Sequence, residues 1–129
     1  MERIVAEGLA RLPSFSHAVA AGDYVHVAGT LGTVGDTMEL AEGGVGPQTT
    51  QTLRNIGLIL ETVGLGFDDV VKMNVYLADM TDFEAMNQAY MAAIGDSPPA
   101  RITVGGVALA LGAAVEIDCV AFRGRPKGG

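Results

Sequence analysis

Cysteine and tryptophan are scarce in this sequence, whose 129 residues include one cysteine and no tryptophan. A disulfide within the chain is excluded because Cys119 has no second cysteine to pair with, unlike the small secreted domains that disulfides stabilise. The N-terminal stretch MERIVAEGLARLP also lacks the apolar segment of a signal peptide. We therefore expect a cytoplasmic protein.

Long apolar runs and positive charge are scarce as well. The uncharged run from Ile102 to Val115 is shorter than the roughly 20 residues that cross a bilayer, so no membrane partner is expected. The 8 Lys and Arg residues against 15 Asp and Glu residues give a formal net charge of −7. A nucleic acid is not an expected partner, because affinity for phosphate backbones depends on positive charge.

Hydrophobic residues and glycine, by contrast, are plentiful, at 49% of the chain and 18 residues. A chain of this length and composition can bury a core of its own. We expect a single domain over residues 1–129, with its core in 13–123 and a flexible tail in 124–129.

Hydrophobic periodicity predicts alternating strands and helices. Two short strands flank a turn within residues 17–31, and the segment 38–41 is a candidate for a third. A helix over 48–63 ends at Gly64, where a left-handed residue is favourable. The next strand has its buried face at alternate positions: Val71, Met73, Val75 and Leu77.

A second helix is predicted to begin near Thr81, with Glu84 completing a capping box. Its apolar face consists of Phe83, Met86, Tyr90 and Ile94. Two more strands, over 101–107 and 114–122, are expected to pair with each other through the small-residue link ALALG. The fold class is therefore α+β, a mixed sheet with two helices on one face. The other face carries apolar residues that need a partner, and self-association supplies one.

Two charges flank the uncharged run. Glu116 is either a solvated residue at a strand end, paired with Lys72 or not, or a partly buried carboxylate suited to general acid–base catalysis. Arg101, which follows two prolines, is either a surface arginine or a planar fork that binds a carboxylate. Sequence position alone leaves both interpretations open.

Other residues give weaker signals. His17 and His26 lack the spacing of metal ligands, so no metal site is predicted. Ser16 has no visible base partner. The stretch GGVG at 43–46 lacks the lysine of a phosphate-binding loop and is interpreted as a flexible turn. Cys119 is expected to point into the core.

Six segments carry a resemblance to one known family, in order from about residue 13 to residue 122: FSHAV, GTLG, QTLRNIGLILETVG, DDVVKMNVYLADMTDFEAMNQAY, PPAR and GAAVEIDCVAF. The sequence resembles the reactive intermediate deaminase A (RidA/YjgF) family. That resemblance implies a chorismate-mutase-like fold and a homotrimer whose sheets form a central barrel, with active sites at the subunit interfaces. It also implies cofactor-free hydrolysis of enamine and imine acids, such as 2-aminoacrylate and 2-iminopropanoate, to 2-keto acids and ammonia.

The resemblance also assigns roles by position. Arg101 matches the arginine that binds the substrate carboxylate, and Glu116 matches the acid that positions the attacking water. The implied substrate-binding residues are Phe15, Gly29, Thr30, Leu31, Asn87, Arg101 and Thr103. No cofactor and no metal are implied.

Several positions depart from the family pattern. Phe15 stands where many members have tyrosine, Ala28 and Thr30 replace a Ser and a Gln, and Ala110 and Leu111 replace a common Pro-Lys. These differences concern substrate preference and leave two alternatives open. One is a small-carboxylate-binding or chaperone-like member without turnover, and the other is a deaminase of a larger imine such as an aminomuconate. An endoribonuclease, a label that some members carry, fits the acidic charge poorly.

Overall fold

The computed structural model describes residues 1–124. Its strands and helices are β1 (Glu2–Ile4), β2 (Ala18–Ala21), β3 (Tyr24–Thr30), α1 (Val45–Glu61), β4 (Val70–Leu77), α2 (Phe83–Ile94), β5 (Ala100–Val104) and β6 (Val115–Phe122). Short 3-10 helices occupy residues 67–69, 80–82 and 110–112. Of the tail predicted over 124–129, all but Gly124 lies outside the described residues.

The six strands form one mixed sheet in the order β1-β2-β3-β6-β4-β5. Neighbouring strands are antiparallel except β4 and β5, which are parallel and are connected by α2. Buried residues of α1 and α2 form a single hydrophobic cluster with one face of the sheet. The predicted α+β class, with a mixed sheet and both helices on one face, is confirmed.

The pairing predicted between the last two strands is wrong. β4 lies between β5 and β6, so Arg101 is opposite Met73 on one side of β4 and Glu116 is opposite Tyr76 on the other. The segment 105–114 is long enough to pass over one strand, since neighbouring strands are only about 4.8 Å apart. The length of this segment therefore allows either a hairpin between β5 and β6 or a connection that passes over β4.

The sheet face away from the helices is open in the single chain. Its side chains are half-buried or exposed, including Val120 and Phe122 on β6 and Val104 on the edge strand β5. Ile102, also on β5, is 51% exposed. This arrangement agrees with the uncovered apolar face that the sequence predicts.

Four local predictions need correction. Val71 is 44% exposed rather than buried, because a bulge between Val70 and Lys72 shifts the register and turns Val70 inward. Asp79, not Thr81, provides the cap before α2, since its Oδ1 accepts the Thr81 backbone N–H at 2.9 Å. The candidate strand at 38–41 is one isolated bridge between residues 33 and 40. α1 begins inside the predicted turn 43–46.

The end of α1 agrees better with its prediction. Gly64 has a φ of 73°, the left-handed conformation that the sequence assigns to it. The helix itself ends at Glu61, and residues 62–64 complete a turn whose backbone N–H groups bond to carbonyls of the last helical residues.

Candidate active site

Glu116 lies on the open face of the sheet, near the start of β6. Its carboxylate is half-buried, and this burial raises its pKa above the ordinary 4.5, with the negative charge of Asp118 as the second cause. Asp118 is held in place by the Asn74 amide, which donates at 2.6 Å, and by the Tyr76 hydroxyl, which donates at 3.0 Å. A carboxylate with a raised pKa is better suited to exchange protons with a bound ligand than an ordinary exposed carboxylate.

Gly29 is the residue of β3 that makes room for Glu116. The pairing of β3 with β6 is irregular between Val27 and Thr30. A Cβ at position 29 would collide with Oε2 of Glu116, so the carboxylate rests against bare backbone. Next to it, the Thr30 hydroxyl donates to the Ala28 carbonyl at 2.8 Å, which stabilises this irregular part of β3.

A cavity of about 340 Å³ opens beside Glu116. It contains five of the residues that the sequence assigns to the site: Phe15, Gly29, Thr30, Leu31 and Glu116. The remaining wall comes from the segment 9–12, from residues 17, 28, 33 and 38, from α1 and from residues 110 and 111. Volumes of about 300–1,000 Å³ are typical of small-molecule sites.

Two buried polar residues that sequence reasoning missed hold this wall together. Asn55 on α1 donates to the carbonyls of Leu31 at 3.0 Å and Thr33 at 2.9 Å, which fastens the loop after β3. His17 accepts the Ala6 backbone N–H at Nδ1 and lies 3.0 Å from the Ala10 carbonyl through Nε2, an arrangement that suits the Nε2–H tautomer. The partners of Asn55 lie 24 and 22 residues away and those of His17 lie 11 and 7 residues away. The only local signal for Asn55 is a polar residue on the apolar face of α1.

Arg101 lies on the other face of the sheet. Its Nη1 donates to Oδ1 of Asn87 at 2.7 Å, and its guanidinium carbon is 4.6 Å from the ring centroid of Tyr90. The ring of Phe83 is slightly farther, at 5.6 Å. These contacts fix the plane of the guanidinium. Asn87 accepts from only one of its nitrogens, so most of the N–H donors of the guanidinium do not bond to Asn87.

Two buried hydroxyl groups accompany Arg101. Thr103 is two residues along the same edge strand, and its Oγ1 has no hydrogen-bond partner within residues 1–124. The Tyr90 hydroxyl is in the same situation in this part of the chain. Buried polar atoms are nearly always paired, so unpaired ones indicate a place where a ligand or water binds.

The predicted site residues therefore form two groups in one chain. Phe15, Gly29, Thr30 and Leu31 gather around Glu116, whereas Asn87 and Thr103 accompany Arg101. Arg101 does not line the cavity of Glu116. The two residues to which the resemblance assigns the substrate carboxylate and the attacking water therefore do not share a pocket within a single chain, because β4 separates them and their side chains point to opposite faces.

The single cysteine takes no part in either group. Cys119 is buried in the core, and this burial, together with the nearby charge of Asp118, raises the pKa of its thiol to about 12. A thiol that stays protonated is a poor nucleophile, so Cys119 is unsuited to form a covalent intermediate.

Comparison with known proteins identifies the family. The family model for endoribonuclease L-PSP matches residues 6–123. The chain belongs to the RidA/YjgF family. It is 38% identical to the goat (Capra hircus) protein named 2-iminobutanoate/2-iminopropanoate deaminase, over 92% of this chain and 87% of that one. It is also 38% identical to the chloroplastic Reactive Intermediate Deaminase A of Arabidopsis thaliana, over 87% and 60% of the two chains.

A solved structure supports the same family assignment. RidA from the Antarctic bacterium Psychrobacter superimposes with a TM-score of 0.88 at 36% sequence identity, covering 95% of this chain and 99% of that one. This RidA/YjgF chain thus has the family fold over nearly its whole length. Within residues 1–124, none of its helices combines the length and the apolar character that a membrane span requires.

Proposed function

We propose that this RidA/YjgF protein hydrolyses reactive enamine and imine acids, of the 2-aminoacrylate and 2-iminopropanoate type, to 2-keto acids and ammonia. The observation that carries the proposal is the half-buried Glu116 carboxylate, set against Gly29 at the wall of a small-molecule cavity. The goat relative, named a 2-iminobutanoate/2-iminopropanoate deaminase, and the Arabidopsis relative, named a reactive intermediate deaminase, support it.

The reaction fits the groups that are present. An imine carbon is already electrophilic, so catalysis mainly requires orientation and one activated water. Water attacks the protonated imine, its oxygen bonds to the imine carbon and Glu116 accepts its proton, so a neutral carbinolamine with an amine nitrogen forms. Glu116 then gives this proton to the amine, the C–N bond breaks and ammonia leaves, and the ionised Glu116 accepts the hydroxyl proton as the carbonyl of the keto acid forms.

Arg101 supplies the binding of the substrate carboxylate in this proposal. Asn87 and the Tyr90 ring orient its planar fork, which can donate two parallel N–H bonds to a carboxylate. The unpaired Thr103 hydroxyl, on the same face, offers one more donor. Phe15, Thr30 and Leu31 line the cavity that receives the rest of the substrate.

The two groups meet only if a second copy of the chain completes the site. We propose that the open sheet faces pack into the central barrel of a homotrimer, as in the predicted family assembly. The edge strand β5, with its exposed Ile102, would then lie against a neighbour. Each active site would combine Arg101 of one subunit with Glu116 of the next, without a cofactor. The cytoplasmic location stays a prediction, and the Arabidopsis relative is named chloroplastic.

The direct test is an assay of imine hydrolysis. An amino-acid oxidase generates the imines in situ, and the release of keto acid and ammonia is followed with and without the purified protein. We expect the protein to accelerate release beyond the rate in water, and the heat-denatured protein to have no effect. Saturable binding of keto acids without any acceleration would refute the enzyme and favour the carboxylate-binding alternative.

Gly29→Ala tests whether Glu116 needs its present position. The added methyl group meets the flexible end of the Glu116 side chain, which can rotate away at little cost to the fold. We therefore expect at least a tenfold loss of imine hydrolysis, on the order of one misplaced catalytic group, with a nearly unchanged melting temperature.

Gly32→Ala is the matched control for that substitution. Its Cβ would lie 2.5 Å from the carbonyl oxygen of Gln48, and this backbone atom cannot move aside. We expect the free energy of unfolding to fall by about 1–3 kcal/mol, as in other overpacked sites. Equal melting temperatures and equal activities in the two variants would contradict the role assigned to Gly29.

A further inference from the structure

The cavity beside Glu116 presents mainly hydrocarbon to a ligand. Several of its polar wall residues are bonded within the protein: both ring nitrogens of His17 have partners, and the Asn55 amide bonds to the loop after β3. The Thr30 hydroxyl donates to the backbone, and Nη1 of Arg11 donates to the carbonyl of Phe15 at 2.8 Å. Apart from the carboxylate of Glu116, what faces the cavity is largely carbon.

Leu111 stands out on this wall. It has a φ of 61° and a ψ of 14°, and it is the only residue other than glycine in the left-handed region among residues 1–124. That conformation is unfavourable for a side chain with a Cβ, and glycine adopts it without strain. Leu111 nevertheless remains 51% exposed and lines the cavity. Its side chain therefore contributes little to the core. Packing in the core does not explain why a leucine occupies a position whose backbone conformation favours glycine.

A strained residue at the wall of a site indicates that its side chain has a role there. An exposed leucine lowers its free energy by contact with another apolar group. Leu12 and Phe15 line the same cavity and offer further apolar surface to such a group.

We propose that Leu111 is a specificity-determining residue, and that the cavity selects imino acids with branched aliphatic or aromatic side chains. The inference rests on the proposed function, since Glu116 must act on the imine carbon while the side chain enters the apolar part of the cavity. It names a substrate class larger and more apolar than 2-iminopropanoate.

The experiment compares imines generated from leucine and from alanine by the same oxidase. We expect kcat/KM of the native protein to favour the leucine-derived imine by about tenfold or more, since each methylene group in an apolar pocket contributes at least that order. Leu111→Ala and Leu111→Gly should both lower this preference about fivefold. Leu111→Gly should also raise the melting temperature relative to Leu111→Ala, because glycine relieves the strain.

Leu58→Ala is the matched control, because Leu58 is 43% exposed on α1 and does not line the cavity. It should leave the preference unchanged. An equal or higher kcat/KM for the alanine-derived imine would overturn the proposal. Equal losses on both imines in the Leu111 variants, or dissociation of their oligomer in size-exclusion chromatography, would do the same.

A binding measurement separates this inference from the proposed function. If no imine is hydrolysed faster, the deaminase proposal fails, and calorimetric titration with 4-methyl-2-oxopentanoate and pyruvate decides the question. Tighter binding of the larger keto acid, weakened by Leu111→Ala, would support the apolar specificity without catalysis. Equal affinities for the two keto acids would refute it.

Discussion

Arg101→Ala is expected to lower kcat/KM for imine hydrolysis by about 100-fold or more, as truncation of a hydrogen-bonded charge at a binding site does. The fold should persist, because Arg101 is on the edge strand β5 and outside the buried core. Circular dichroism and the melting temperature check the fold, and steady-state kinetics measure the loss. Full activity in this variant would contradict the carboxylate-binding role.

Arg101→Lys is the conservative control. It keeps the positive charge but loses the planar fork that Asn87 and the Tyr90 ring orient. We expect a smaller loss than in Arg101→Ala, expressed mainly in KM. Equal losses in the two variants would show that the geometry of the fork matters more than its charge.

Mixed oligomers test where the two halves of the site come from. Chains with Arg101→Ala and chains with Glu116→Gln are co-expressed with different tags and purified through both. If each site joins Arg101 of one subunit to Glu116 of the next, every mixed trimer contains one intact site and regains about one third of the native activity. Mixed trimers that stay inactive would show that both residues of a site come from the same chain.

Glu116→Gln is expected to reduce kcat about 10²- to 10⁴-fold, the usual contribution of a positioned general acid–base group. The amide preserves the shape of the side chain but cannot take a proton from water. In the native protein Glu116 must be ionised to act as the base, so the rate should fall as the pH decreases through its raised pKa. The acid limb of the profile should therefore lie above pH 4.5.

Asp118→Asn provides the control for this pH dependence. Burial is the larger cause of the raised pKa of Glu116 and remains in the variant, whereas the negative charge of Asp118 is removed. The acid limb should therefore move to lower pH without disappearing. A limb that moves to higher pH, or one that is unchanged in Glu116→Gln, would contradict the assignment of Glu116 as the titrating base.

Local sequence signals predicted much of this fold. The apolar spacing of α1 and α2, the left-handed Gly64 and the strands on either side of the turn near Gly22 all depend on residues close together in the chain. The errors arose where distant segments decide. The bulge that exposes Val71 depends on the register with β6, and the position of β4 between β5 and β6 depends on pairing over many residues.

The candidate site was predictable only in part. Sequence position left Arg101 and Glu116 each with an unremarkable alternative, and the resemblance to a family gave them roles. Neither source could show that the two side chains point to opposite faces, because this depends on the register of each strand with β4. The anchors His17 and Asn55 were missed because their partners lie in loops whose course the sequence does not specify.

The central position of β6 has a consequence for how the protein is made. β6 is the last strand in the chain among the described residues, yet it joins β3 to β4 in the middle of the sheet. A ribosome-bound chain that lacks Val115–Phe122 can form β1–β3 and β4–β5 only as separate pieces, each with an unpaired edge. Folding of the complete sheet must therefore wait until this last strand leaves the ribosome, and until then both partial sheets expose unpaired edges.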